Sequence, residues 1–197
     1  MCGRYQLLQT QHIAQCLQKV GFNHWGDVLP NDVAPILYAN RDEIVTAQAR
    51  WGYPSPNGKG LLINARAETL EEKAMFRNSL YMRRCALPAT SFYEWNVQKE
   101  KYRFLLPMQG LFYLAGLFDD FEGERRFVVI TTKANDTVAG VHHRMPVILT
   151  DDSLHGWLFQ LEYAIDILSG QQPALYSCRE GGQPPDDARL DLYSKLE

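Results

Sequence analysis

The sequence has few cysteines, no long apolar run and no secretory signal. Its four cysteines are scattered over 197 residues, as Cys2, Cys16, Cys85 and Cys178. They show neither C-x-x-C pairing nor zinc-finger spacing, so we expect reduced thiols and no metal site. No apolar stretch approaches the roughly 20 residues that a membrane span needs, and the N-terminal MCGRYQL lacks the layout of a signal peptide. We therefore expect a protein that stays away from membranes, in the compartment where it is made.

An excess of positive charge is also missing. The chain has 20 Lys and Arg against 23 Asp and Glu, a formal charge of −3, which is unlike the strongly basic domains that bind nucleic acid through their overall field. Any contact with a polyanion must therefore use a local arginine patch. No G-x-G-x-x-G or Walker loop follows a strand-like segment, so no nucleotide cofactor is expected.

The length and patterning predict one α+β domain over residues 1–197, with an ordered core at about 2–179 and a loose tail at 180–197. Helices are predicted at about 10–20, from a Thr69/Glu72 capping box to about Leu80, after Thr150, and at about 163–168. Apolar or alternating runs predict strands at 43–51, 60–69, 83–88, 90–95, 101–107, 111–118 and 126–133. The middle of the chain is therefore rich in strands.

Cys2 is the most informative single residue. Removal of Met1 would expose a 1,2-aminothiol, whose amine titrates near 7.7–8.0 and whose thiol titrates near 8.5. The amine condenses with an aldehyde to an imine, and the thiol of the same residue then closes a five-membered thiazolidine. If Met1 is retained, the nitrogen of Cys2 is an amide. Without other residues, an incidental cysteine is an equally open interpretation.

Three further segments carry polar side chains inside apolar surroundings. Asn64 and Arg66 lie in INARAET (63–69), Glu94 stands between two aromatic residues in FYEW (92–95), and a pair of histidines begins HHRMPVIL (142–149). Apolar neighbours are expected to raise the pKa of Glu94 by desolvation. Two adjacent histidines on one loop are not expected to face the same point, so one is a catalytic candidate and the other is expected to be exposed. Each of these segments, taken alone, is also explained by an ordinary turn, strand or loop that has no function.

Taken together and in order, these segments resemble the SOS-response-associated peptidase (SRAP) family, whose members are regarded as abasic-site processing proteins. The matching motifs are CGRY at 2–5, AP at 34–35, RWG at 50–52, NARAET at 64–69, RRC at 83–85, FYEW at 92–95, AGLF at 115–118, ITTKAN at 130–135 and HHRMPVIL at 142–149. The sequence departs from the family pattern at His143, where Asp or Asn is usual, and at Thr90-Ser91. Neither departure removes a catalytic group.

The resemblance implies a single α+β domain with a β-barrel-like mixed sheet core, peripheral helices and a positively charged DNA channel. It implies the catalytic residues Cys2, Asn64, Glu94 and His142. It implies that Arg4, Arg66 and Arg144 hold DNA phosphates. It also implies that Trp51 and Trp95 lie near exposed bases. The resemblance also implies a monomer. From the missing motifs and signal segment we expect no cofactor and a cytoplasmic protein, associated with the nucleoid when bound to DNA.

The expected function is covalent capture of abasic sites in single-stranded DNA by a thiazolidine at Cys2, in the DNA-damage or SOS response. The expected enzymatic activities are DNA–protein crosslinking with lyase chemistry, and autoproteolysis. Two alternatives stay open at this point. One is a cysteine-type peptidase that uses Cys2, His142 and Glu94, and the other is a non-covalent reader of modified single strands.

Overall fold

The computed structural model describes residues 2–9, 22, 25–107 and 110–180. Fifteen strands are described: β1 Tyr5–Leu7, β2 Gly26–Val28, β3 Val33–Asn40, β4 Glu43–Trp51, β5 Tyr53–Pro54, β6 Leu61–Leu62, β7 Asn64–Arg66, β8 Arg84–Ala89, β9 Ser91–Trp95, β10 Lys101–Leu105, β11 Phe112–Phe121, β12 Glu124–Lys133, β13 Arg144–Pro146, β14 Ile148–Leu149 and β15 Tyr176–Arg179. The helices are α1 Ala74–Met82, α2 Asp136–Ala139, α3 Asp151–Phe159 and α4 Leu161–Ser169, with a 3-10 turn at Ala67–Thr69.

The larger sheet closes on itself. Its order is β13-β12-β4-β3-β8-β11-β14, and β12 pairs with β11 as well as with β4. Strands β12, β4, β3, β8 and β11 therefore form a ring without a free edge. Its pairs are antiparallel except those of β12 with β4 and β7, which are parallel. The predicted α+β class with a barrel-like mixed core is confirmed.

A second sheet, of order β15-β10-β9-β1-β2, packs on one side of the ring. Side chains alternate along each strand, so neighbouring residues enter different cores. In β12, Phe127 and Val129 join the core that contains the second sheet. Val128 and Ile130 join the core that contains the helices, including Trp157 of α3. The ring thus separates a core toward the N-terminal strand from a core beneath the helices.

The predicted helix after Thr150 is confirmed as α3, and the Thr150 N–H donates to Oγ of Ser153 at 2.9 Å. The predicted capping box at Thr69/Glu72 is wrong. Thr69 ends a 3-10 turn, and α1 begins at Ala74 after Lys73, which makes no side-chain cap. The predicted strand at 60–69 is likewise divided into β6, β7 and that turn. No helix in the described residues is long and apolar enough to cross a membrane.

The predicted helix at 10–20 and the predicted tail beyond residue 180 lie outside the described residues. The single-domain organisation of 1–197 stays a prediction.

Candidate functional site

Cys2 lies three residues before the start of β1 and is completely buried. β1 pairs antiparallel with β9, with Tyr5 opposite Phe92, and the Tyr93 N–H donates to the Arg4 carbonyl at 3.0 Å. Continuing this antiparallel register places Gly3, the neighbour of Cys2, opposite Glu94. The Cys2 Sγ donates to the Arg4 carbonyl at 3.8 Å. Pairing with β9 therefore carries the N-terminal residues into the core instead of leaving them at the surface.

Asn64 binds the backbone of Cys2 from the larger sheet. Its Nδ2 donates to the Cys2 carbonyl at 3.0 Å, and its strand β7 pairs with β12 at Val129. The Oδ1 atom of the same amide is buried and has no hydrogen-bond partner in the described part of the chain. An acceptor held in this way is typical of a binding site, because a buried polar atom without a partner costs about 1–3 kcal/mol.

Glu94 is the buried carboxyl of the site, with 2% of its surface exposed. Burial raises its pKa from 4.5 to about 7, because water no longer stabilises the charged form. Burial, followed by the nearby charge of Glu94, also raises the pKa of the Cys2 thiol well above its ordinary value. The site therefore combines a neutral thiol with a carboxyl that exchanges protons near neutral pH.

His142 is half-buried and is fixed by its own loop. Its N–H donates to the Val138 carbonyl at 3.0 Å, and its Nδ1 accepts from the Arg144 N–H at 3.0 Å. The same Nδ1 lies 3.1 Å from the Arg144 carbonyl, so whether this nitrogen accepts or donates depends on the tautomer of the ring. Burial is the largest cause that lowers the pKa of His142, so burial favours the neutral ring.

The exposed His143 lies against His142, with ring centroids 4.4 Å apart and an angle of 26° between the planes. The exposure of His143 agrees with the expectation that one of the two histidines is exposed. The turn at residues 141–143, just before β13, brings the two rings into contact.

The predicted catalytic residues come from two neighbouring parts of the fold. Glu94 lies in β9 of the second sheet, and Cys2 precedes β1 of the same sheet. In contrast, β7, with Asn64, and β13, which follows His142, both pair with the end of β12. The bond between Asn64 and Cys2 joins the two parts. Val141, beside His142, packs against the core that contains Cys2. Sequence separation hides this arrangement, because it depends on the registry of strands about 60 to 140 positions apart.

The predicted DNA-contacting arginines differ in their surroundings. Arg66 is exposed at the end of β7. The Nη1 of Arg4 lies 3.3 Å from Oδ2 of Asp27, and its guanidinium lies 5.8 Å from the ring centre of Trp95, which is partly exposed. Arg144 forms an ion pair with Glu68. The contacts of all three with phosphate stay predictions.

Trp51 is completely buried, so in this structure it offers no surface to a base. Its ring stacks on Phe127 at 6.0 Å, and its Nε1 donates to the Ile63 carbonyl at 2.9 Å. Ile63 immediately precedes Asn64, so Trp51 helps to fix the strand that presents the amide to Cys2. This positioning role was not evident from the sequence.

Tyr5, Asp27 and Glu68 also belong to the site and were missed. The Tyr5 hydroxyl is buried without a hydrogen-bond partner among the described residues, and its charged form is disfavoured by burial and then by Cys2, which raises its pKa. Glu68 lies inside the NARAET motif, which is the signal that should have drawn attention to it. The described residues contain no cluster of three or more His, Cys, Asp or Glu side chains able to hold a metal ion.

Comparison with known proteins places this geometry in a family. The model of the SOS response associated peptidase (SRAP) family matches residues 1–174. The abasic site processing protein YoqW of Bacillus subtilis is 35% identical over 179 residues, covering 80% of each chain. YedK of Escherichia coli, with the same descriptive name, is 27% identical over 178 residues, covering 81% of this chain and 80% of its own. The chain belongs to the SRAP family.

Solved structures agree on the fold. A crystal structure of a Bacteroides thetaiotaomicron protein covers 90% of this chain and 91% of its own, with a TM-score of 0.74 at 22% identity. A Bordetella bronchiseptica protein gives the same TM-score at 25% identity, covering 90% of this chain and 99% of its own. These likenesses concern the arrangement of strands and helices, because the identities are low.

Proposed function

We propose that this protein captures abasic sites in single-stranded DNA covalently, through the amine and thiol of Cys2 after Met1 has been removed. The observation that carries the proposal is the burial of Cys2 between the Asn64 amide and the Glu94 carboxyl, whose pKa is about 7. Membership of a family whose relatives are named abasic site processing proteins supports the choice of substrate.

The amine is the better first nucleophile. An α-amine titrates near 7.7–8.0, whereas burial raises the pKa of the Cys2 thiol and keeps it protonated. The amine attacks the aldehyde carbon of the opened sugar to give a carbinolamine, which loses water to form an imine. The sulfur then adds to the imine carbon while its proton passes to the nitrogen, which closes a thiazolidine. Ring closure removes the imine that would otherwise lead to strand cleavage by elimination.

The neighbouring side chains have matching roles in this sequence. Glu94 moves protons during formation and dehydration of the carbinolamine, since its pKa near 7 suits both directions of transfer. His142, whose ring is held by the backbone of Arg144, steadies the hydroxyl released when the sugar opens. The Oδ1 atom of Asn64, which is buried without a partner among the described residues, accepts a hydrogen bond from the new amine.

Self-processing of the Met1–Cys2 bond is compatible with the same residues. A cysteine peptidase, however, attacks with a thiolate, and the environment of Cys2 opposes thiolate formation. The structure therefore favours the amine-first reaction over general peptide hydrolysis by Cys2.

The proposal is tested by intact-mass spectrometry after mixing the protein with an abasic single-stranded oligonucleotide and denaturing the mixture. A denaturation-resistant adduct that has lost one water is expected with the processed protein. Cys2→Ala should give no heat-stable adduct, because an imine of the remaining amine cannot close the ring. An N-terminal tag should block capture where a C-terminal tag does not. Equal yields from the two tagged proteins would exclude the amine, and a normal yield from Cys2→Ala would exclude the thiol.

A further inference from the structure

Glu68 holds one of the arginines expected to bind DNA. Arg144 donates from Nη1 to Oε1 of Glu68 at 2.5 Å and from Nη2 to Oε2 at 2.9 Å. This two-pronged geometry is the one with which arginine also binds phosphate. Nη2 donates in addition to the Thr131 carbonyl at 2.5 Å. The Arg144 side chain is 11% exposed and the Glu68 side chain 47%, so the carboxylate is the solvent-facing half of the pair.

Arg66 contributes positive charge to the same place. It lies opposite Thr131 in the pairing of β7 with β12, and Thr131 is the residue whose carbonyl Arg144 binds. The hydrogen bond from Arg144, and more weakly the charges of Arg144 and Arg66, lower the pKa of Glu68. Two arginines and a hydrogen-bonding backbone thus already surround an ionised carboxylate at the protein surface.

We propose that Glu68 occupies the position of a DNA phosphate, so that a strand binds at Arg144 by exchanging one anion for another. The inference rests on the proposed function, since it takes the ligand to be a DNA strand. It adds that the protein's own carboxylate limits the affinity for that strand. After exchange, the released carboxylate lies beside the phosphate that replaced it and repels it. Undamaged strands are therefore released readily, whereas a strand with an abasic site is retained by its bond to Cys2.

The opposite role for Glu68 predicts the opposite result. If the carboxylate only orients Arg144 toward the DNA, its loss frees the guanidinium to move and weakens binding. If it competes with phosphate, its loss strengthens binding. The sign of the change in affinity therefore distinguishes a competitor from a support.

The test uses the full-length protein and an undamaged single-stranded oligonucleotide, so that covalent capture does not contribute. Binding is measured by fluorescence anisotropy over a range of salt concentrations. Glu68→Gln should bind about 3- to 10-fold tighter at low salt, as expected for removal of one ion pair and one like-charge contact near the surface. The slope of its log-affinity against log-salt should be steeper by about 0.7. In the wild type, the carboxylate that is freed on binding takes up a cation, which offsets one cation released from the DNA, and Glu68→Gln lacks this offset.

Glu72→Gln is the matched control, because it removes the same charge from an exposed residue four positions away. It should bind like the wild type. Adding Arg144→Ala to Glu68→Gln should abolish the gain, because the anion then has no guanidinium to occupy. Equal or weaker binding by Glu68→Gln, with Glu72→Gln unchanged, would overturn the proposal.

A second probe separates this inference from the proposed function. Thermal stabilisation by inorganic pyrophosphate requires neither DNA nor Cys2 chemistry. Glu68→Gln should be stabilised at lower pyrophosphate concentrations than the wild type. If that holds while abasic DNA gives no adduct, the competing anion is real and covalent capture is wrong. If adducts form but Glu68→Gln responds to pyrophosphate and oligonucleotide like the wild type, capture stands and the role of Glu68 is refuted.

Discussion

Replacing Glu94 by Gln should lower the rate of crosslinking to abasic DNA and raise the free energy of unfolding at the same time. Glutamine keeps nearly the same shape and a hydrogen-bonding end, but it carries no proton to transfer and no charge to bury. A residue that lowers stability in order to supply chemistry should show both effects. A buried carboxyl without a catalytic role should show the gain in stability alone.

The size of the stability effect follows from the pKa of Glu94, which burial raises from 4.5 to about 7. Between these values the folded protein keeps a proton that the unfolded chain has lost, so the free energy of unfolding falls as the pH rises through this window. Above about pH 7 the buried charge costs about 3 kcal/mol, at about 1.36 kcal/mol per pKa unit. Glu94→Gln removes this cost, and it should not differ from the wild type below about pH 4.5.

Denaturant unfolding of both proteins between about pH 4 and 9 measures the difference. For a chain of this length, about 3 kcal/mol corresponds to a rise of roughly 6–12 °C in Tm at pH 8. Single-turnover crosslinking to an abasic oligonucleotide over the same range should be slower by about 10²-fold in the mutant, the usual contribution of general acid–base catalysis. Glu72→Gln controls for the loss of one negative charge at the surface.

The reasoning is refuted if the stability difference between wild type and Glu94→Gln does not change with pH. That result would mean that Glu94 is ionised in the folded state at no cost. A crosslinking rate within twofold of the wild type across the range would separately remove Glu94 from the mechanism and leave it as an ordinary buried strand carboxyl.

The remaining predictions concern the neighbours of Cys2 and the arginine patch. His142→Ala should impair capture of the closed sugar more than capture of a substrate already presented as a free aldehyde, and equal losses on both substrates would place His142 elsewhere in the mechanism. Trp51→Phe leaves the Ile63 carbonyl without its indole donor, so it should destabilise the protein by about 1–3 kcal/mol and slow capture; unfolding and crosslinking rates measured together check this, and an unchanged crosslinking rate would contradict the positioning role. Arg66→Ala should flatten the log-affinity against log-salt slope for single strands by about 0.7, and an unchanged slope would mean that the strand passes elsewhere.

The sequence by itself predicted most strands of the middle of the chain and the chemical candidates, but it did not predict β3 (Val33–Asn40), a strand of the ring. The strand-like segment at 43–51 is strand β4 with the same bounds, because β-branched and aromatic residues favour extended backbone. The apolar neighbours of Glu94 predicted its raised pKa, because desolvation depends on local surroundings that the flanking aromatic residues partly disclose. The aminothiol chemistry of Cys2 follows from its covalent structure alone.

The tertiary structure decided which of these groups meet and which are already occupied. The strand predicted at 60–69 is broken so that Asn64 reaches the Cys2 carbonyl, and Trp51 lies in the core instead of along a DNA surface. Arg144 and Glu68 pair across 76 positions because β7 and β13 both pair with β12. Periodicity shows that a residue is buried or exposed, but strand pairing over long separations determines its partner, since that choice depends on the registry of the whole barrel.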